Sequence, residues 1–552
     1  MSTLGENRIS RRSFVGLGGA ALAAACARGQ IVSSSGETTA ARPARPFEVD
    51  GTLYPWDVHD EGIETILDNM TGLAGVNTVY LICLMHHEGR PLTSRQYPHN
   101  PARARWDTED SCAYFHPQWD LYGRIKPALS RHDWLRSTDW LQVVIEAARA
   151  RGLRVGAEIS HTPIPASVLK DNPDYQQRDI NDVPKGRLCP NHPDVREYLL
   201  ALFGDVAAHY DIDLIQTCMW LYSPGGPGDK DATCFCRSCR REAQAAGFDL
   251  AAAISVLKAN PQAQPQLDQW LACRRQSIAR IYRLVAESIH KAKPRLDFRL
   301  NDFVPFGSGL KGNRASGLYL EDLRGVINSC ALSDHTEQLG RPDETFALRK
   351  SWLAENRSLL GPETLVLSGV AVRPKATPAL IRRGVQAAVE NGADGIACKH
   401  YDGAAFSMLR AVRDGLVAAG VKGFTPLQGV EAEGMTLSGF VPETFIDESG
   451  VKATGEATAV SKFALASGTY DIIVSYAGGK EGPGALALSV GGSEKRAWKW
   501  EAGIGSWKRK TIPQVALRTG EEIKLTGSAG ARVDFVEFVP HVGQTRPTRG
   551  AA

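Results

Sequence analysis

The 552-residue chain predicts a closed (β/α)₈ barrel followed by an all-β, jelly-roll-like sandwich. Three observations carry this expectation. From Phe47 to about Gly420, apolar runs of strand length alternate with helical stripes, the mark of parallel strands joined by crossover helices. Eight such units follow one another, the number that closes a barrel. Beyond Gly420 the helical period stops and two-residue alternation begins, broken by glycine-rich turns.

The elements follow in chain order. In residues 1–30, Ser10-Arg11-Arg12-Ser13-Phe14-Val15 precedes the small apolar run Gly16 to Ala25, which reads as a twin-arginine export signal. Cys26 stands after Ala23-Ala24-Ala25, where a lipid anchor would attach, although Ala23 replaces the leucine usual there. A protein exported by this route is expected in the periplasm or outside the cell. Residues 31–46, rich in Ser, Thr, Ala and Pro, read as a linker.

The barrel is expected over residues 47–422. Its strand candidates are Gly51–Asp57, Asn77–Leu84, Leu153–Ile159, Asp213–Trp220, Asp297–Phe303, Ser329–Asp334, Thr364–Gly369 and Ala393–His400. Between them Val195, Tyr198, Leu199, Leu202, Phe203 and Val206 form one helical stripe, and segments 380–391 and 407–419 behave likewise. A doubly wound open sheet is the rival, but no glycine-rich phosphate loop follows the first strand. The sandwich is expected over 428–541, where Tyr470, Ile472, Val474 and Tyr476 line one strand face and Leu486, Leu488 and Val490 another. Residues 542–552 read as a disordered tail.

Composition excludes some functions. A net charge of +3 without a dense basic face argues against a nucleic-acid partner. After the signal, no stretch has the ~18 apolar residues that a membrane span needs.

Cys234-x-Cys236-x-x-Cys239 is the sharpest motif among the eleven cysteines. Three thiols so close can wrap one tetrahedral zinc, which takes four soft ligands. Cys189, in Leu188-Cys189-Pro190-Asn191-His192-Pro193, is the chosen fourth, ahead of Cys112 and His192. Cys83, Cys218, Cys330 and Cys398 fall in strand candidates and read as small core residues.

A Cys-Pro-Asn-x-Pro segment before a helix, then Cys-x-Cys-x-x-Cys after the fourth strand, resembles the zinc site of glycoside hydrolase family 42 β-galactosidases. The resemblance covers residues 185–245 and implies a (β/α)₈ barrel, two catalytic glutamates and a structural zinc that pins a loop. Neither glutamate carries over. The fourth strand ends Gln216-Thr217-Cys218-Met219-Trp220 and the seventh reads Val366-Leu367-Ser368-Gly369-Val370-Ala371, both without a carboxylate.

The C-terminal segment opens on Val430-Glu431-Ala432-Glu433 and closes on Asp534-Phe535-Val536-Glu537-Phe538. With Gly468-Thr469-Tyr470-Asp471 between them, it resembles carbohydrate-binding modules of families 6 and 35. That resemblance implies a structural calcium at Glu431, Glu433 and Asp534. Trp498, Trp500 and Trp507 could stack on sugars or staple the sandwich.

In a barrel the C-terminal strand ends meet on one face, where active sites are built. Six ends here are richly polar. The carboxylates Glu158, Asp302, Asp334, Glu337 and Asp402 are the candidates for glycosidic acid/base chemistry, which needs two. Asp302 is the first choice for nucleophile or base, and Asp334 and Glu337 share a loop in which one could raise the other's pKa. His86, His87, His161, Trp220, His335, Lys399, His400 and Tyr401 suit substrate binding. The expectation is an exported glycoside hydrolase acting on an oligo- or polysaccharide. The rivals are a polysaccharide lyase with a base among Lys399, His400 and Tyr401, and a non-catalytic sugar-binding protein.

Overall fold

The computed structural model describes residues 45–84, 111–159, 163–218, 222–229, 231–303, 314–333, 337, 342–372, 376–399, 401–478, 482–500 and 505–541. Both folded parts, the barrel and the β-strand part after it, lie within the unit that begins at Phe47. The export signal with Arg11 and Arg12, Cys26, and the tail lie outside the described residues.

The barrel strands are Glu48–Leu53, Thr78–Leu84, Arg154–Ile159, Leu214–Cys218, Asp297–Phe303, Ser329–Ser333, Leu365–Ala371 and Gly395–Lys399, first to eighth. Each pairs in parallel with its sequence neighbour. The first also pairs with the eighth, Glu48 opposite Gly395, and the ring closes. Side chains of alternate parity face the lumen and the helices. Phe298 and Leu300 face outward, where Phe298 meets Phe203 and Tyr282 of the helical layer. Ala331, Leu365, Leu367 and Ala397 make a separate small cluster inside.

The N-terminal end of the lumen is closed by charge. Arg299 is fully buried and donates to Glu48 at 2.7 Å, to Asp50 at 2.9 Å and to Ser329 at 2.8 Å. Ser329 donates in turn to Asp297 at 2.7 Å. Burial still pushes the Asp50 carboxyl up to about 7, against the pull of Arg299.

The first strand sits earlier than its sequence candidate. Pro55 opens the helix Pro55–Glu61, because proline has no N–H to lose at that position and its φ is already helical. The Asp57 carboxylate accepts the Tyr54 N–H at 2.8 Å and caps the turn. Trp56 and Asp57 therefore stand on a helix at the barrel rim rather than in a strand.

The last barrel helix, Phe406–Ala418, is followed, among the described residues, by nine antiparallel strands running from Gly429–Glu431 to Arg532–Pro540. They enclose their own core of Phe440, Ile472, Val474, Leu488, Leu525 and Val536. This part is bolted to the barrel. Trp507 and Ala477 pack into the barrel core, and the Trp507 indole donates to the Phe445 carbonyl at 2.7 Å. Among the described residues, no helix is long and apolar enough to cross a membrane.

Candidate active site and cysteine centre

Five strands send polar side chains into the C-terminal half of the lumen. Tyr80, Glu158, Gln216, Asn301 and Lys399 are buried there, and Cys218 is half-buried beside them. Gln216 donates to one oxygen of Glu158 at 2.7 Å and the Cys218 thiol to the other at 3.4 Å. Two donors on separate oxygens fix the carboxylate plane. Across the lumen, the Lys399 ammonium donates to Tyr80 Oη at 2.8 Å and to Asn301 Oδ1 at 3.4 Å. Burial, then the charges of Asp50 and Glu158, raise the Tyr80 phenol well above its ordinary range, so it keeps its proton and stays a donor. Tyr80 and Gln216 were missed in the sequence because a single polar side chain within a strand carries no motif, and Asn301 stood out only as a neighbour of Asp302 at a polar strand end. Only lumen-side parity singles them out.

Two expected carboxylates lie elsewhere. Asp302 has the parity of Phe298 and Leu300, opposite to Arg299 and Asn301, and is buried on the helix-facing side of the fifth strand. It is not in the lumen, and the choice of Asp302 as nucleophile is corrected on that ground. Glu337 is fully buried and locked to Arg349 of the helix Pro342–Leu360 at 2.8 Å, with its second oxygen on the Ala371 N–H at 3.1 Å. Arg349 also donates to the carbonyls of Gly384 and Gly369. Glu337 thus ties a helix to the seventh strand, a structural ion pair.

Asp402 follows the eighth strand and lies beside Asp57, which the sequence reading placed at a strand end without singling it out. Burial first, then the negative charge of Asp402, raise the Asp57 carboxyl well above its ordinary range. Next to them Trp56 stacks on Tyr54 with ring centres 4.4 Å apart. Tyr401 points away from the lumen: it donates to Glu61 at 2.7 Å and accepts from Asn69 at 2.9 Å. Burial pushes the Glu61 carboxyl up to about 8, which the Tyr401 bond opposes. His86, His87, His161, Trp220, Asp334, His335 and His400 lie outside the described residues.

The four cysteines come together as the spacing requires. Cys189 Sγ lies 3.4 Å from Cys236 Sγ, 3.6 Å from Cys239 Sγ and 4.0 Å from Cys234 Sγ. All four sulfurs lie within 4.8 Å of one another and all four residues are buried. A zinc–sulfur bond of 2.3 Å implies tetrahedral edges of about 3.8 Å, so the set fits a four-thiolate metal site. Cys236 caps the helix Arg237–Ala245, its sulfur accepting the Cys239 N–H at 3.4 Å. The Arg178 N–H reaches Cys234 at 3.5 Å and the Asn191 amide reaches Cys239 at 3.4 Å. Beside this centre Arg274 is buried, its guanidinium 4.4 Å from the Trp270 ring centre.

Two of the three expected calcium carboxylates, Asp534 and Glu431, meet a guanidinium instead. Arg410 of the last barrel helix donates to Asp534 at 2.7 and 3.0 Å and lies 3.5 Å from Glu431 and 3.6 Å from Glu448. Among the described residues, only the cysteines converge as a metal-ligating group, so the cation facing Asp534 and Glu431 is Arg410. Trp498 and Trp507 are buried and serve packing, while half-buried Trp500 lies against Tyr476, ring centres 5.7 Å apart.

Residues 125–373 match the profile of the family described as glycosyl hydrolase-like 10, from ahead of the third strand to just past the seventh. No curated protein sequence matches the chain. Among solved structures, an α-L-fucosidase isoenzyme 2 from Paenibacillus thiaminolyticus is 18% identical, with a TM-score of 0.45 over 68% of this chain. The chain spans 50% of that fucosidase's length. The PgaB (BpsB) glycoside hydrolase domain from Bordetella bronchiseptica is 16% identical, TM-score 0.46, covering 64% of this chain and 94% of that one. A β-galactosidase from Bacillus circulans sp. alkalophilus is 14% identical, TM-score 0.45, covering 67% and 55%.

Proposed function

We propose that the chain is an exported glycoside hydrolase that cleaves an oligo- or polysaccharide by carboxylate acid/base chemistry at the C-terminal face of its barrel. The carrying observation is Glu158: a carboxylate on the lumen side of a strand end, oriented by Gln216 and Cys218. Glycosidic cleavage needs a second carboxyl group that still holds a proton when it meets the leaving oxygen. Asp57 is that group. Its burial and the adjacent charge of Asp402 favour the protonated form. Glu158 then acts as nucleophile or base. Lys399 and Asn301 hold substrate hydroxyls, and the Tyr80 hydroxyl, accepting from Lys399, is free to donate its proton in another hydrogen bond.

The fit of the four sulfurs supports zinc as the bound metal. Zinc there would brace the loop after the fourth strand; a closed shell of four thiolates leaves no position for an activated water. The resemblance of the C-terminal sandwich to carbohydrate-binding modules supports a polymeric substrate. The twin-arginine pattern supports export to the periplasm or beyond, with Cys26 as a candidate anchor.

The test is the release of reducing sugar from a panel of oligo- and polysaccharides, with Glu158→Gln beside the wild type. Hydrolysis that falls about 10³-fold in the variant, with melting unchanged, supports the assignment. An unsaturated product absorbing in the ultraviolet would point to elimination. An active wild type with an equally active variant would remove Glu158 from the chemistry.

A further inference from the structure

Buried arginines elsewhere in this chain face carboxylates. Arg299 has Glu48 and Asp50, Arg349 has Glu337, Arg410 has Asp534 and Arg532 has Glu443. Arg274 differs. It is 2% exposed, yet among the described residues no carboxylate lies within ion-pair distance. Its hydrogen bonds go to two carbonyls, Ser223 at 2.7 Å and Gly225 at 3.4 Å, and its guanidinium lies over the rings of Trp270 and Tyr222. Carbonyls and aromatic faces orient a cation without cancelling its charge, and an uncompensated buried charge is strongly unfavourable.

The opposite imbalance sits next to it. A divalent metal held by four thiolates carries a net charge of −2. The N–H groups of Arg178, Asn191 and Cys239 spread that charge over the sulfurs and do not neutralise it. Cys234 and Cys239 line the same cavity of about 340 Å³ as Arg274, Tyr222 and Trp270. Tyr222 links the two sides, accepting from Asn191 at 3.3 Å with its oxygen 3.9 Å from Cys239 Sγ.

We infer that Arg274 is the counter-ion of the cysteine centre, a positioning residue whose charge lets four buried sulfurs hold a divalent metal as thiolates. The inference rests on the zinc reading proposed above. Its two carbonyl bonds anchor it to segment 222–225, in the connection that leads to the cysteines, so metal and loop are stabilised together.

Zinc transfer from the full chain to a coloured chelator tests this. The wild type, Arg274→Met and Arg274→Lys are purified under reducing conditions, and zinc content and melting temperature are measured beside the transfer rate. Both variants lose the planar fork that bonds Ser223 and Gly225; only lysine keeps the charge. The expected result is about one zinc per wild-type chain, retention close to wild type in Arg274→Lys, and a hold on zinc weakened roughly 10–100-fold in Arg274→Met, the usual loss for an outer-shell partner. Equal retention by the two variants, whatever their melting temperatures, overturns the counter-ion role. If Arg274→Met does not fold, Arg274→Gln against Arg274→Lys makes the same comparison. A wild type without stoichiometric zinc sinks the metal reading itself, a different failure from equal variants on a zinc-loaded wild type.

Discussion

Arg410 grips Asp534 through both terminal guanidinium nitrogens, at 2.7 and 3.0 Å, and so joins the last barrel helix to the last sandwich strand. Asp534 is 1% exposed, and among the described residues Arg410 is the cation paired with it. Replacing Arg410 by methionine leaves a buried carboxylate unpaired, which costs about 3–5 kcal/mol. The expected outcome is a sandwich that melts earlier and proteolytic nicking in the connecting segment 419–428. Calcium added to the wild type should leave its melting unchanged, because a guanidinium already faces these carboxylates.

The same centre makes stability depend on pH. Burial, then the charge of Asp534, push Glu448 up to about 8, with Arg410 opposing. This carboxyl holds its proton more tightly folded than unfolded. The stability it contributes is therefore full below about pH 4.5, the unfolded value, and is lost as pH rises through about 8. Melting curves from pH 5 to 9 should show a decline worth at least about 1 kcal/mol, one pKa unit. The decline should be smaller in a Glu448→Gln variant.

Glu337 is expected to matter for stability and not for turnover. Glu337→Gln leaves Arg349 buried without its counter-charge, a loss of about 3–5 kcal/mol. Gly384→Ala should act through the same pair, since a Cβ there would collide with the Glu337 carboxylate and crowd Arg349. Overpacking of this kind costs about 1–3 kcal/mol. Activity per folded molecule should stay near wild type in both. A large drop in turnover at unchanged melting would make Glu337 a catalytic group after all.

The barrel was legible because its strands are short apolar runs separated by strong helical stripes. The cysteine cluster was legible because metal geometry imposes spacing. Carboxylate roles were not. Asp302 and Glu158 both end a strand, and only alternation through Phe298 and Leu300 on one side, or Gln216 and Cys218 on the other, decides which one sees the lumen. Glu337 reads as a rim carboxylate until Arg349, twelve residues on, turns it into an ion pair. The first strand was misplaced because Pro55 starts a helix as readily as it ends a strand. Calcium was implied by the resemblance to carbohydrate-binding modules, and nothing local to Glu431 or Asp534 reveals that Arg410 arrives from the barrel.

Asp57, on the helix that follows the first strand, and Asp402, just past the neighbouring eighth strand, lie side by side at the barrel rim. A like charge nearby raises a carboxyl's pKa, so Asp402 helps Asp57 keep its proton. If Asp57 is the acid that protonates the leaving oxygen, kcat/KM falls on the alkaline side as Asp57 ionises. Asp402→Asn removes the neighbouring charge while nearly keeping the shape. The pKa of Asp57 then drops, and the alkaline limb of the profile should move to lower pH. Asp57→Asn should abolish that limb and reduce the rate by about 10²–10⁴, the worth of general acid help. Substrates with a good leaving group, which needs no proton, should recover most of the Asp57→Asn loss. An alkaline limb unmoved in Asp402→Asn, with no rescue of Asp57→Asn by such a substrate, would assign the acid to another residue and leave the Asp57–Asp402 pair as a packing feature of the barrel rim.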